Sequence, residues 1–218
     1  MNQMWEGSNY NDYLYVGAQG FFMRQLHTRM EKPFDESDMF PLTVEVGAGE
    51  GQHFPYVRHR FERYVMTDKR ASGATEQLPP GAEFMSADAQ DLPFESGTVD
   101  RLVSTCVLHH LPDPEAALQS WRRVVRGGGV LTILLATDPG FAHRLGRHLT
   151  TRRAATKLGL DYDLEMAREH RNHAGALMVM IERMFAADQL RYVGLPFPWR
   201  TWNFNYSQTY QIRKSSAA

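Results

Sequence analysis

The stretch VEVGAGEG, residues 44–51, constrains the fold of this chain more than any other. A β-branched run ends at Gly47, and further glycines follow at Gly49 and Gly51. Glycines after a first strand let the backbone turn sharply and let a ligand approach its amides. Their spacing is GxGxG. Gln52 stands where the GxGxxG dinucleotide fingerprint has its third glycine, which tilts against NAD.

Other apolar runs share the pattern. Leu42–Val46, Tyr64–Thr67, Ala82–Ser86, Arg101–Leu108 and Val130–Ala136 each read as a buried parallel strand. Pro114–Val125 is predicted as a helix, with Asp113 as its cap and proline at its first position. Gln52–Glu62 is expected to form an amphipathic helix, whereas Lys69–Gly81 holds Gly73, Pro79 and Pro80 and leaves room only for a very short one. One or two helices are expected over Tyr10–Glu31. After Ala136 the alternation stops for about fifty residues, a length that marks a lid or binding insertion. Within it, Asp163–Phe185 reads as one long helix. Gln189–Leu195 and Tyr206–Lys214 then read as strands, separated by the aromatic PFPWRTWNFN.

These seven runs predict an α/β protein: a Rossmann-like doubly wound, mostly parallel seven-stranded sheet with helices on both faces. The expected single domain comprises an N-terminal helical cap (1–40), a ligand-binding core (41–137), a helical lid or acceptor insertion after the fifth strand (138–188) and C-terminal strands (189–218).

Composition narrows the partners. Lys and Arg total 24 against 25 Asp and Glu, so no global field draws the chain onto nucleic acid or an anionic membrane; either partner requires a local patch. The first residues lack a signal-peptide pattern, no run approaches the roughly 20 apolar residues of a transmembrane helix, and Cys106 is the one cysteine. A cytoplasmic monomer or homodimer is expected, without a metal.

Asp68 follows the second strand, 21 positions after Gly47, and suits a carboxylate that accepts hydrogen bonds from two ribose hydroxyls. Asp88 and Ala89 follow the third strand, where a carboxylate can accept from an adenine amine. Acids at both strand ends point to one compact adenosine ligand.

With these motifs in order, the sequence resembles the class I S-adenosylmethionine-dependent methyltransferases, in the small-molecule branch that includes the ubiquinone and menaquinone C-methyltransferases. The resemblance rests on VEVGAGEG, TD at 67–68, ADAQDLPF at 87–94, FESGTVDRLVSTCVLHHLPDPEAAL at 94–118 and RVVRGGGVLTI at 123–133. It covers roughly residues 40–137 and implies S-adenosylmethionine as cofactor. By that resemblance Glu45 supports the glycine turn, Gly47, Ala48, Gly49 and Gly51 lie against the methionine end, Asp68 and Lys69 flank the ribose, Asp88 and Ala89 hold adenine, and the Ser104 carbonyl meets the amino group. The Arg126-Gly127-Gly128-Gly129 turn departs from the usual Lys-Pro-Gly-Gly.

Methyl transfer from a sulfonium requires positioning, exclusion of water and, for a protonated nucleophile, a base. His109 and His110, after the fourth strand, are the candidate bases, although packing against the cofactor is the commoner use of a histidine pair at this place. His170 and His173, three apart, are expected on one helix face toward the acceptor, and Tyr13 in the N-terminal segment joins them. The stretch 143–157 holds Arg144, Arg147, Arg152, Arg153 and Lys157 and no acid. A solvated face is the plain reading. Arg152 and Arg153 could instead recognise an anionic or phosphate-bearing acceptor, or the stretch could skim an anionic surface. An NAD-dependent oxidoreductase and a non-catalytic S-adenosylmethionine-binding regulatory subunit are the alternatives. The fourth-strand run Ser104-Thr105-Cys106-Val107 lacks the proline-aromatic pattern of base-amine methylation, which argues against a nucleic-acid substrate.

Overall fold

The computed structural model describes residues 17–69, 78–157, 159 and 161–216; the expected role of Tyr13 and the expected short helix after Lys69 fall largely outside them. Seven strands form one sheet: β1 (Leu42–Val46), β2 (Arg63–Asp68), β3 (Ala82–Ser86), β4 (Val99–Thr105), β5 (Val125–Ala136), β6 (Gln189–Leu195) and β7 (Ser207–Arg213). Their order is β3-β2-β1-β4-β5-β7-β6, parallel from β3 to β5, with β7 antiparallel to both β5 and β6.

Side chains alternate across this sheet, as strand geometry requires. Val44, Val46, Leu102, Leu131, Ile133, Tyr210 and Ile212 enter the principal core, packed with Trp121 of helix α2 (Pro114–Val124). Fully burying each such side chain contributes roughly 1.5–3 kcal/mol. The cap of α2 is as expected: the Asp113 carboxylate accepts the Ala116 amide, and Pro114 begins the helix. On the opposite face lies helix α1 (Gly17–Glu31), whose Leu26 and Met30 pack on Leu134 of β5.

Two expected helices differ. Residues 52–62 hold one 3-10 turn, Phe54–Tyr56, because the following backbone pairs with residues 38–41 instead. The Arg60 carbonyl accepts the Phe40 amide, and the Arg60 and Glu62 amides donate to Asp38 and Pro41. The long helix expected over 163–185 is two helices. The insertion runs α3 (Phe141–Leu149), α4 (Thr151–Lys157), α5 (Tyr162–Glu169) and α6 (Ala174–Met184). Between α5 and α6 the Arg171 and Asn172 amides donate to the His109 carbonyl, and the Asn172 carboxamide donates to the Leu108 and Leu111 carbonyls. Those tertiary bonds replace the intrahelical ones and break the helix. Along α6, Met178 is buried and Met180 and Met184 lie partly buried against the core.

Candidate cofactor and acceptor site

Register brings the glycine turn and the acids to one edge. Val46 pairs with both Thr67 and Ser104, and Asp68 pairs with Ser86, so the carboxyl ends of β1 to β4 align. Leaving β1, the Gly47 and Ala48 amides donate to the Thr67 carbonyl. Gly47 (φ 69°), Gly49 (φ 57°) and Gly51 (φ 84°) all lie in the left-handed region that glycine tolerates. At Gly47 a Cβ would also meet Val107 Cγ2 at 2.2 Å, which ties the turn to the segment after β4.

At Gly49 the surroundings are open: a Cβ there would meet only the Gln52 side-chain oxygen, at 3.1 Å. The Gly49 amide donates to Asp68 Oδ2 at 3.0 Å, joining the turn to the acid of β2. Lys69 Nζ lies 3.9 Å from Asp88 Oδ2, and Asp88 Oδ1 accepts the Gln90 amide. The carbonyl of Ala89 accepts the Trp121 indole N–H at 2.8 Å. Ser104 is buried, and its Oγ has no hydrogen-bond partner among the described residues. Open glycine backbone beside a strand-end carboxylate is the donor and acceptor set that an adenosine cofactor requires. Ala48, by contrast, packs beneath the turn with Tyr64 and Met66.

Glu45 also lies beneath the turn. Its carboxylate is 2% exposed and accepts the Tyr64 hydroxyl at 2.9 Å, and burial raises its pKa. It shares the α1 side of the sheet with a polar network that no sequence motif announces. Arg101 of β4 forks onto Glu31 of α1, with Nη1 2.8 Å from Oε2 and Nη2 on Oε1. His53 Nε2 donates to the same carboxylate at 3.0 Å, and its Nδ1 is 2.9 Å from His27 Nδ1. The Arg101 guanidinium also stands over the Phe34 ring at 4.2 Å. Burial opposes ionisation of Glu31, but the His53 hydrogen bond and the Arg101 charge outweigh it and hold the carboxyl at about 2.

The same burial keeps three histidines neutral: His27 falls to about 3, His59 to about 4 and His109 to about 3, burial leading in each case. Lowered histidine pKa values mean that the unfolded chain binds protons, near pH 6.5, that the folded chain refuses. Stability is therefore complete above that pH and declines as the pH falls toward 4, with Glu31 extending the loss below about 4.5. Urea titrations are expected to give an unfolding free energy about 5 kcal/mol lower at pH 5 than at pH 7. A flat profile between those values would contradict the buried, neutral histidines.

A second polar cluster lies past the ends of β4 and β5. Asp138, just beyond β5, accepts His170 Nδ1 at 2.9 Å and forms an ion pair with Arg147, whose Nη2 lies 2.6 Å from Oδ1, with His143 Nδ1 at 3.5 Å. Burial alone would raise the Asp138 pKa, but hydrogen bonds from His143 and His170 and the Arg147 charge hold it far below the carboxylate range. The His170 ring lies 5.5 Å from His109 and 5.1 Å from His110. His109 is wholly enclosed, with Nε2 donating to the Ala136 carbonyl at 2.7 Å, so its visible work is to hold the turn. His110 remains 27% exposed beside Glu169.

His170 and His173 do not share a helix face: His170 follows the last turn of α5 and His173 caps α6. His173 lines a groove of about 450 Å³ with Pro139, Arg171, Gly175, Met180 and Trp202. Arg152 is exposed and forks onto Asp163, with Nη2 2.6 Å from Oδ2; Arg153 is exposed beside it. Sequence reasoning passed over Glu31, His53, Arg101 and Asp138, which stand in no recognisable spacing. Among the described residues no group of three or more His, Cys, Asp or Glu is placed to hold a metal ion.

A seven-stranded sheet in this order, with a glycine turn and acids on its carboxyl edge, is a Rossmann-like fold. Residues 44–133 match the family model described as a methyltransferase domain. Phosphatidylethanolamine N-methyltransferase of Cereibacter sphaeroides is 30% identical over 106 residues, 44% of this chain and 52% of that protein. Ubiquinone/menaquinone biosynthesis C-methyltransferase of Coxiella burnetii is 40% identical over 60 residues, 28% of this chain and 24% of that one. The chain thus spans about half or less of these curated relatives. Among solved structures, a methyltransferase from Thermotoga maritima superposes with a TM-score of 0.63 at 15% identity, covering 97% of this chain and 98% of that one. The N-methyltransferase NodS from Bradyrhizobium japonicum, bound to S-adenosyl-L-homocysteine, gives 0.62 at 15% identity, covering 98% and 97%.

Proposed function

We propose that this protein transfers a methyl group from S-adenosylmethionine to a small-molecule acceptor. The observation that carries this reading is the Gly49–Asp68 contact, which sets a strand-end carboxylate against open glycine backbone. No α-helix begins at the glycine turn, so no helix N-terminus faces a pyrophosphate, which disfavours the dinucleotide alternative. In this reading Asp68 accepts the ribose hydroxyls, Lys69 screens the two acids, Asp88 and Ala89 border adenine, and Gly47 to Gly51 lie along the methionine tail.

The cofactor, when bound, supplies an electrophilic methyl group. The chain positions it and excludes water. His110, the more exposed of the histidine pair, takes the acceptor proton where the nucleophile carries one, while His109 fixes the turn through its ring and its carbonyl. Residues 41–137 form the cofactor core, and residues 138–188 shape the acceptor side. An anionic group on the acceptor would meet Arg153, with Arg152 alongside.

Isothermal titration with S-adenosylhomocysteine, followed by its release in an acceptor screen, tests the reading. Saturable NADH binding without S-adenosylhomocysteine binding would reverse it. Cofactor binding with no turnover over a broad screen would favour the regulatory-subunit alternative. With a productive acceptor, His110→Ala is expected to lower kcat about 100-fold while cofactor affinity stays within about threefold. Equal losses in both would make His110 a packing residue.

A further inference from the structure

Helix α3 is built inside out for a helix exposed to water. Its His143 and Arg147 turn inward to Asp138, whereas Phe141, Leu145 and Leu149, spaced by four, form one stripe on the opposite side. That stripe is solvent-exposed: Phe141 at 61%, Leu145 at 46% and Leu149 at 51%. Amphipathic helices of soluble domains normally place such a stripe against the core. Here a polar pin holds the helix down and its apolar side faces away.

The stripe continues into the loop between β6 and β7. The Phe141 and Ala142 amides donate to the Asn203 side chain and carbonyl, which seats the start of α3 on that loop. Trp199 and Phe204, each 57% exposed, and the stacked Phe197 extend the apolar surface. Trp202, at one wall of the groove beside α6, also belongs to it. Contiguous exposed apolar surface of this kind marks an interaction site.

Charge selects the partner. Residues 141–157 and 196–204 hold six cationic side chains and no Asp or Glu. Three are engaged: Arg147 by Asp138, Arg152 by Asp163 and Arg200 by Glu182. Arg144, Arg153 and Lys157 are exposed and form no salt bridge among the described residues. The chain as a whole carries a net charge of −1, so this concentration of cations is local. Tryptophan, phenylalanine and leucine flanked by arginine and lysine match the chemistry of an interface between anionic headgroups and acyl chains. No helix among the described residues is long and apolar enough to cross a membrane.

We propose that α3, α4 and the β6–β7 loop form a face that docks on an anionic lipid bilayer, with Phe141, Leu145, Leu149, Trp199 and Phe204 entering the headgroup boundary and Arg144 and Lys157 meeting the headgroups. The docking is independent of methyl transfer, and it turns the groove beside Trp202 toward the lipid.

Vesicle co-sedimentation of the full chain tests it, using phosphatidylcholine vesicles with and without about 30% phosphatidylglycerol. Binding is expected to be at least about tenfold tighter to the anionic vesicles, to weaken as salt rises, and to shift tryptophan emission to the blue. Leu145→Ser with Leu149→Ser, which removes exposed side chains only, is expected to weaken binding at least about tenfold at an unchanged melting temperature. Arg144→Glu with Lys157→Glu is expected to abolish the preference for anionic vesicles. Failure to bind anionic vesicles, or equal binding by the Ser and Glu variants, would overturn the proposal. So would a concentration-dependent dimer in ultracentrifugation that the serine variant dissociates, which would give this face to a second copy of the chain.

Discussion

If Asp68 holds the ribose as proposed, Asp68→Ala is expected to weaken S-adenosylhomocysteine binding at least about 100-fold, because hydrogen bonds to a charged acceptor contribute about 1.5–3 kcal/mol each and two ribose hydroxyls would lose theirs together. The Gly49 amide loses its partner as well. Asp68→Asn, which keeps one acceptor oxygen without the charge, is expected to fall between wild type and alanine. Titration calorimetry reads both, with circular dichroism confirming the fold. An alanine variant within about threefold of wild type would move the ribose away from β2 and remove the central support for the cofactor assignment.

The largest effect on stability is expected at Glu31 and Arg101. Removing one partner of a wholly buried ion pair strands the other charge, at a cost of about 3–5 kcal/mol. Glu31→Ala strands Arg101, which is fully enclosed between α1, Phe34 and the sheet. Arg101→Met strands Glu31, although His53 still donates to it. The double variant Glu31→Leu with Arg101→Met is expected to recover most of the loss, since matched apolar replacements remove both unpaired charges. Urea unfolding of the two single variants and the double measures the coupling. Additive losses would show that the pair acts independently and that packing alone accounts for their burial.

Local signals in the sequence carried most of the frame. β1, β3 and β6 have the bounds that their apolar runs predict, and α2 begins at the predicted proline, because strand alternation and capping are written within a few residues. The turn at Gly47–Gly51 and the position of Asp68 at the end of β2 were legible for the same reason. What escaped depends on distant partners. Glu31 and Arg101 are 70 residues apart, and nothing near either residue indicates that both lie on the α1 side of the sheet. The break between α5 and α6 arises from the His109 carbonyl and from Asn172, which ties back to Leu108 and Leu111. No proline or glycine interrupts residues 163–174, and only the fold shows where the amides of Arg171 and Asn172 go. The turn at 54–56 is a similar case, since pairing with residues 38–41 takes the backbone that a helix would have used.

The antiparallel β7 bears on how the chain is assembled during synthesis. It lies between β5 and β6, bonded to both, yet it is the last of the seven strands to leave the ribosome. Until Ser207–Arg213 emerge, the outer edge of β5 and the whole of β6 have unpaired backbone, the kind of open edge that recruits other chains. The parallel half of the sheet, with the glycine turn, can form earlier, so the nascent chain passes through a stage with a finished ligand edge and an open flank. Any nascent-chain chaperone that attends this protein would have its work concentrated in that interval.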